Sequence, residues 1–140
     1  VPLFLLLHFG VTCALTGLIW TIQVTHYPLF AQVGPENFAA YHEAHTRTIT
    51  CVVGPLMLAE VASAGWLWLE GRRDPLFLIS LGFLAAIWLS TALIQIPLHH
   101  RLAGGFAPEP HANLVLSNWI RTLAWTARAL LLAPAFLTRS

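Results

Sequence analysis

The stretch Leu76-Phe77-Leu78-Ile79-Ser80-Leu81-Gly82-Phe83-Leu84-Ala85-Ala86-Ile87-Trp88-Leu89-Ser90-Thr91-Ala92-Leu93-Ile94-Gln95-Ile96-Pro97-Leu98-His99-His100 decides the fold class. It exceeds the roughly 20 mostly apolar residues that a membrane-spanning helix needs. The polar turn Glu70-Gly71-Arg72-Arg73-Asp74-Pro75 precedes it, and a Gly- and Pro-rich segment from Arg101 to Pro110 comes after it. Outward from it lie three more apolar runs. One goes from about Leu3 to Tyr27, where His26-Tyr27-Pro28 marks its end. Another opens after Gly34-Pro35 and runs from about Asn37 to Leu69, and the last runs from about His111 to Ala133, before Pro134. The spacing therefore predicts helices over about 3–27, 37–69, 76–100 and 111–133. Pro55, after Gly54, predicts a kink in the second. No segment alternates apolar and polar residues, which excludes a closed β-barrel.

Composition points the same way. Of 140 residues, 57% are apolar and 9% charged, whereas a soluble domain is about a quarter charged. Such a chain cannot clothe a water-facing surface. All seven basic residues are arginine and the net charge is +1, which excludes a nucleic-acid binder with its basic stripe. The expected fold is all-α: one transmembrane domain over residues 1–140, an up-down-up-down four-helix bundle with short connections. The chain opens on Val1 rather than Met, which points to a start trimmed or absent. The first apolar run is too long for a signal-peptide core and is expected to be a genuine span. Arg72, Arg73 and Arg139 fall on the face shared with both termini, against Arg101 and Arg47 on the other. The positive-inside rule then puts both termini in the cytoplasm, in a bacterial inner membrane. Cys13 and Cys51 sit in apolar stretches and are expected as small core residues without a disulfide framework. The tryptophans are expected in an interfacial belt or against lipid, with only Trp125 on a polar stripe.

Antiparallel helices sort the polar residues by depth. His26 ends the first helix, His42 and His45 open the second, His99 and His100 end the third, and His111 opens the fourth. Six of seven histidines thus fall at one membrane face. His42 and His45 are three apart and share a helix face, as do Gln23 and His26; Gln95 and His99 are four apart. Asn118, Arg121, Trp125 and Arg128 form one stripe on the fourth helix. Arginine at such depth faces the bundle interior and needs a partner. Glu60, the one carboxylate deep in an apolar run, shares His42's face about 27 Å further along. A relay or structural group of His8, Glu60 and Arg128 is therefore expected towards the termini. A richer group of histidines with Arg47, Arg121 and Asn118 is expected at the other face.

Neutral imidazole is the commonest metal ligand. His42 and His45, with His26 and His99 from neighbouring helices, make a four-ligand candidate for a metal ion (iron, copper or zinc) or a haem. His100 points about 100° from His99, so the two rarely share one ion. Arg121 and Asn118 are the candidate catalytic pair, holding an oxyanion or a substrate carbonyl. The chain carries no HExxH, no CxxC and no Glu-x-x-His pair. The function expected is redox, oxidase- or oxygenase-like, on a lipophilic small molecule entering from the bilayer. The alternatives are an accessory subunit of a larger respiratory or photosynthetic complex, binding pigment or only packing, and a small transporter with Glu60 and His8 relaying protons. A homo-oligomer is compatible with each. The plainer readings are interfacial histidines reaching headgroups and a Glu60–Arg128 pair that fixes helix register.

An internal echo suggests a two-plus-two build. Gln23, His26 and Pro28 match Gln95, Pro97 and His99, and Arg47-Thr48-Ile49 matches Arg121-Thr122-Leu123. Three segments also carry a likeness: Gln23-Val24-x-His26-Tyr27-Pro28-Leu29-Phe30, Ser90-Thr91-Ala92-Leu93-x-Gln95-x-Pro97-Leu98-His99, and Asn118-Trp119-Ile120-Arg121-Thr122. Through them nearly the whole chain resembles a group of small uncharacterised bacterial four-span membrane proteins, which implies the fold and no activity. The Asn-Trp-then-Arg pattern in the last helix is more distantly similar to the anthrone oxygenase-like membrane proteins. That likeness implies cofactor-poor oxygenation of aromatic compounds and carries over no catalytic residue.

Overall fold

The computed structural model describes residues 2–137. Its described residues hold four helices long and apolar enough to cross a bilayer: span 1, Leu3–Gln32; span 2, Pro35–Leu69; span 3, Pro75–Leu102; and span 4, Pro108–Leu137. The protein is an all-α, integral membrane four-helix bundle. Span 1 packs on spans 2 and 4, and span 4 packs on span 3, whereas spans 2 and 3 approach each other only sparsely.

The connections arise from local chemistry. Gly71, at φ 88°, ends span 2. Its amide donates to the Trp68 carbonyl and the Arg72 amide reaches back to Leu67 at 3.0 Å, the double closure that favours glycine after a helix. Asp74 then caps span 3, accepting from the Phe77 amide at 3.0 Å, with Pro75 in the first helical position. Pro35 and Pro108 open spans 2 and 4 in the same way. Those prolines start both helices a few residues before the positions expected from hydropathy. Span 2 continues through Pro55 as one helix.

The largest departure is in span 1, which does not stop at Pro28. A π-helical turn, Ile22–His26, precedes that proline, and a second, Thr91–Gln95, precedes Pro97. In an α-helix a proline ring collides with the carbonyl four residues back, here Val24 and Leu93. In both spans that carbonyl lies inside the widened turn. The Tyr27 and Ile96 amides bond five residues back, to Ile22 and Thr91. Each helix thus absorbs its proline and runs on.

The widened turn rotates the remainder of span 1. Leu5, His8, Thr12, Leu15, Ile19 and Ile22 form the buried stripe of that helix, and a regular helix would continue it to His26. The extra residue slips the stripe, so Tyr27 and Phe30 are buried and His26 is half-buried. The Gln–Pro echo is thus structural. The Arg47/Arg121 echo is not: Arg47 is exposed, outside the polar group expected for it, while Arg121 is buried.

Cys13 and Cys51 also depart from expectation, since both are exposed on the outside of the bundle. A helix bathed in hydrocarbon is apolar on every side, so an apolar neighbourhood does not place a small residue in the core. Trp20, Trp66, Trp68 and Trp119 are exposed, as expected against lipid.

Candidate functional site

Two polar groups occupy the interior. Nearer the termini, Arg128 and Glu60 are fully buried and paired: Arg128 Nε and Nη2 each lie 3.1 Å from Glu60 Oε1. Trp125 Nε1 donates to Glu60 Oε2 at 3.0 Å, and Thr12 Oγ1 donates to Oε1 at 2.8 Å. Arg128 Nη1 donates to the Ser80 carbonyl at 2.5 Å. His8 Nε2 stands 3.3 Å from Arg128 Nη2, and His8 Nδ1 stands 2.8 Å from Ser63 Oγ. Guanidinium can only donate, so Nε2 accepts and the proton sits on Nδ1, facing Ser63. The expected trio is therefore one group, and it ties all four spans together.

Toward the other end lies the second group. Arg121 Nε and Nη2 donate to Asn118 Oδ1 at 2.9 and 2.6 Å, and Asn118 Nδ2 donates to Gln23 Oε1 at 2.9 Å. Gln23 Nε2 then donates to the Val115 carbonyl at 3.0 Å. Gln95 Nε2 reaches Ser117 Oγ on the same helix, at 3.2 Å. The two glutamines within the π turns thus brace spans 1 and 3 on span 4. Replacing Gln23 with leucine strands the Asn118 amide, which donates to Gln23 Oε1. We expect a loss of about 1–3 kcal/mol, read as an earlier midpoint in denaturation of the detergent-solubilised protein; an unchanged midpoint would contradict the bracing role.

The histidines assemble around Tyr27, a residue that sequence spacing did not single out. Arg121 Nη2 donates to Tyr27 Oη at 3.3 Å, Tyr27 Oη lies 3.0 Å from His99 Nε2, and His99 Nδ1 lies 2.9 Å from His42 Nε2. Arg121, Tyr27, His99 and His42 thus form one continuous hydrogen-bonded chain across the cavity wall. His26 Nε2 meets His45 Nδ1 at 2.6 Å, and His45 Nε2 is buried with no hydrogen-bond partner among the described residues. His111 Nε2 donates to the Tyr27 carbonyl at 2.8 Å, fixing the tyrosine from span 4. His100 is exposed, so His99 is the inward one of that pair.

The four candidate ligands are thus close but joined two by two, with ring centroids 4.3 Å apart for His26 and His45 and 5.2 Å apart for His42 and His99. Among the described residues, no three His, Cys, Asp or Glu side chains form a ready metal cage.

Between spans 2 and 3, where the bundle is least tightly joined, lies a half-open cavity of about 720 Å³. Leu15, Ile19, Ile49, Val53 and Met57 form part of its apolar wall, and Tyr27, His42, Gln95, His99 and Arg121 furnish polar groups. Thr50, Leu58 and Ile96 line it and are exposed along the spans, and Glu43, His100 and Ala103 do so near the helix ends, so the opening runs from the apolar flank to the polar end. A concave, mainly apolar space with a few convergent polar groups is the usual form of a small-molecule site. The cavity itself had no signature in the sequence.

No family profile, curated protein or solved structure matches the chain.

Proposed function

We propose that the protein takes a lipophilic small molecule from the bilayer into the cavity between spans 2 and 3 and oxidises it there, in an oxidase- or oxygenase-like reaction. The observation that carries this reading is the meeting of apolar walls with Tyr27, His42, His99 and Arg121 in one lipid-facing space. Arg121 orients an oxygen of the substrate, and Asn118, fully buried behind the cavity lining, holds that guanidinium in place. The Tyr27 hydroxyl, 3.0 Å from His99 Nε2, gives the proton that oxidation releases a first step out of the cavity. His26, His42, His45 and His99 are the residues that would hold a metal, with the unpartnered His45 Nε2 as the free ligand atom. Iron or copper there would accept the electrons. In this reading the protein sits in a bacterial inner membrane. Arg72 and Arg73, at the termini end of the bundle, support a cytoplasmic placement of that end; Arg139 lies outside the described residues.

Elemental analysis and a visible absorption spectrum of the detergent-purified protein test the metal. We expect about one equivalent of iron or copper, lost when His42 and His45 are both replaced by alanine. A colourless, metal-free protein would overturn this redox centre.

A further inference from the structure

We infer that the molecule this cavity takes is a lipophilic weak acid, bound as its anion by Arg121. The inference rests on the reading of the cavity as a lipophile site and adds the chemistry of the head group.

Span 4 carries two buried arginines, and they are not treated alike. Arg128 has Glu60 as a built-in counter-ion. Arg121 has only neutral partners: the Asn118 amide oxygen and the hydroxyls of Thr91 and Tyr27. Among the described residues no carboxylate comes within ion-pair distance of it. Glu43, the acid among the cavity-lining residues, is exposed. Arg121 lies about 20 Å along span 4 from Pro108, near mid-helix, and is 6% exposed. A guanidinium at that depth without a counter-charge is costly. The site is electrostatically complete only with an anion present.

The fork is also arranged to receive one. Asn118 Oδ1 engages Nε and one proton of Nη2, at 2.9 and 2.6 Å, which leaves Nη1 and the second Nη2 proton. The bonds from Nη1 to Thr91 and from Nη2 to Tyr27 are 3.4 and 3.3 Å, at the long limit of useful hydrogen bonds. A carboxylate or phenolate oxygen would exchange weak neutral contacts for charge-assisted ones.

The route of access selects a weak acid rather than a permanent anion. The flank of the opening lined by Thr50, Leu58 and Ile96 faces hydrocarbon, which a permanently charged molecule enters poorly, whereas a neutral acid partitions into it. Once the head reaches the polar end, where Glu43 and His100 line the cavity and are exposed, its O–H bond breaks and the proton passes to water at that face. The anion remains beside Arg121, and no electrons change hands in this step.

Four probes test the proposal on protein in nanodiscs: a fluorescent long-chain carboxylic acid, the alcohol of the same chain, a phenol of similar bulk, and its methyl ether. We expect at least one acidic probe to bind about tenfold or more tightly than its neutral partner. Arg121→Gln should abolish that preference while sparing the alcohol and the ether, and Arg121→Lys should keep part of it. The favoured acid separates carboxylate from phenolate recognition. Equal binding of acids and neutral partners by the parent protein, which needs no variant to fold, would overturn the weak-acid inference and leave the lipophile site standing. No binding of any probe would overturn the lipophile site as well.

Discussion

Glu60→Leu should unfold far more easily than the parent, by the equivalent of about 3–5 kcal/mol, measured as a shift in denaturation midpoint in detergent. The substitution leaves the Arg128 charge in a fully buried site with only Ser80 and His8 beside it. It also strands Trp125 Nε1 and Thr12 Oγ1, which both donate to that carboxylate. The size of the loss reflects an abandoned charge more than the worth of the pair. Removing both charges, as Glu60→Leu with Arg128→Met, should therefore recover a large part of the stability. A double variant as unstable as the single one would show that the ion pair itself holds the four helices in register. A single variant as stable as the parent would show that the interior admits water to Arg128.

Val53→Trp should abolish occupation of the cavity with little effect on the fold. Val53 is half-buried and lines the space between spans 2 and 3, so a large side chain there has room to grow into. We expect at least about tenfold weaker binding of any lipophilic probe that the parent retains, with a denaturation midpoint close to the parent's. Ala64→Trp is the contrast. Ala64 is buried in the packed interior, where overpacking costs about 1–3 kcal/mol. Undiminished probe binding by the Val53→Trp protein would place the lipophile elsewhere on the molecule.

Span 4 was the most legible element in the sequence, because two arginines in an apolar run leave the chain one way to face. The stripe Asn118, Arg121, Trp125 and Arg128 is buried throughout, and its link to Glu60 and His8 came from helical spacing. The meeting of the histidines came from antiparallel order alone. Spans 1 and 3 were harder, being apolar on nearly every side, so that periodicity does not separate lipid from core; Cys13 on span 1 was misplaced for that reason, as was Cys51 in the apolar middle of span 2. Tyr27 was missed because a π turn shifts the buried stripe by one position, and an unbroken 3.6-residue period points to His26 instead. A warning did exist: both echoing segments place a proline a few residues beyond a glutamine, several residues before the polar segment that ends the helix. The cavity was invisible because it depends on how far apart two helices stand, a distance that no single helix encodes.

Spans 2 and 3 are joined by the Glu70–Asp74 turn at one end and by the His42–His99 hydrogen bond toward the other, with the window between. On the proposed reading, a lipophile passes through it sideways, in the plane of the bilayer. The concentration that governs occupancy is thus moles of solute per mole of lipid, not molarity in the surrounding buffer. Adding empty vesicles or micelles at constant total solute should lower occupancy by dilution within the film. An affinity quoted for this protein acquires meaning only alongside the amount of lipid present.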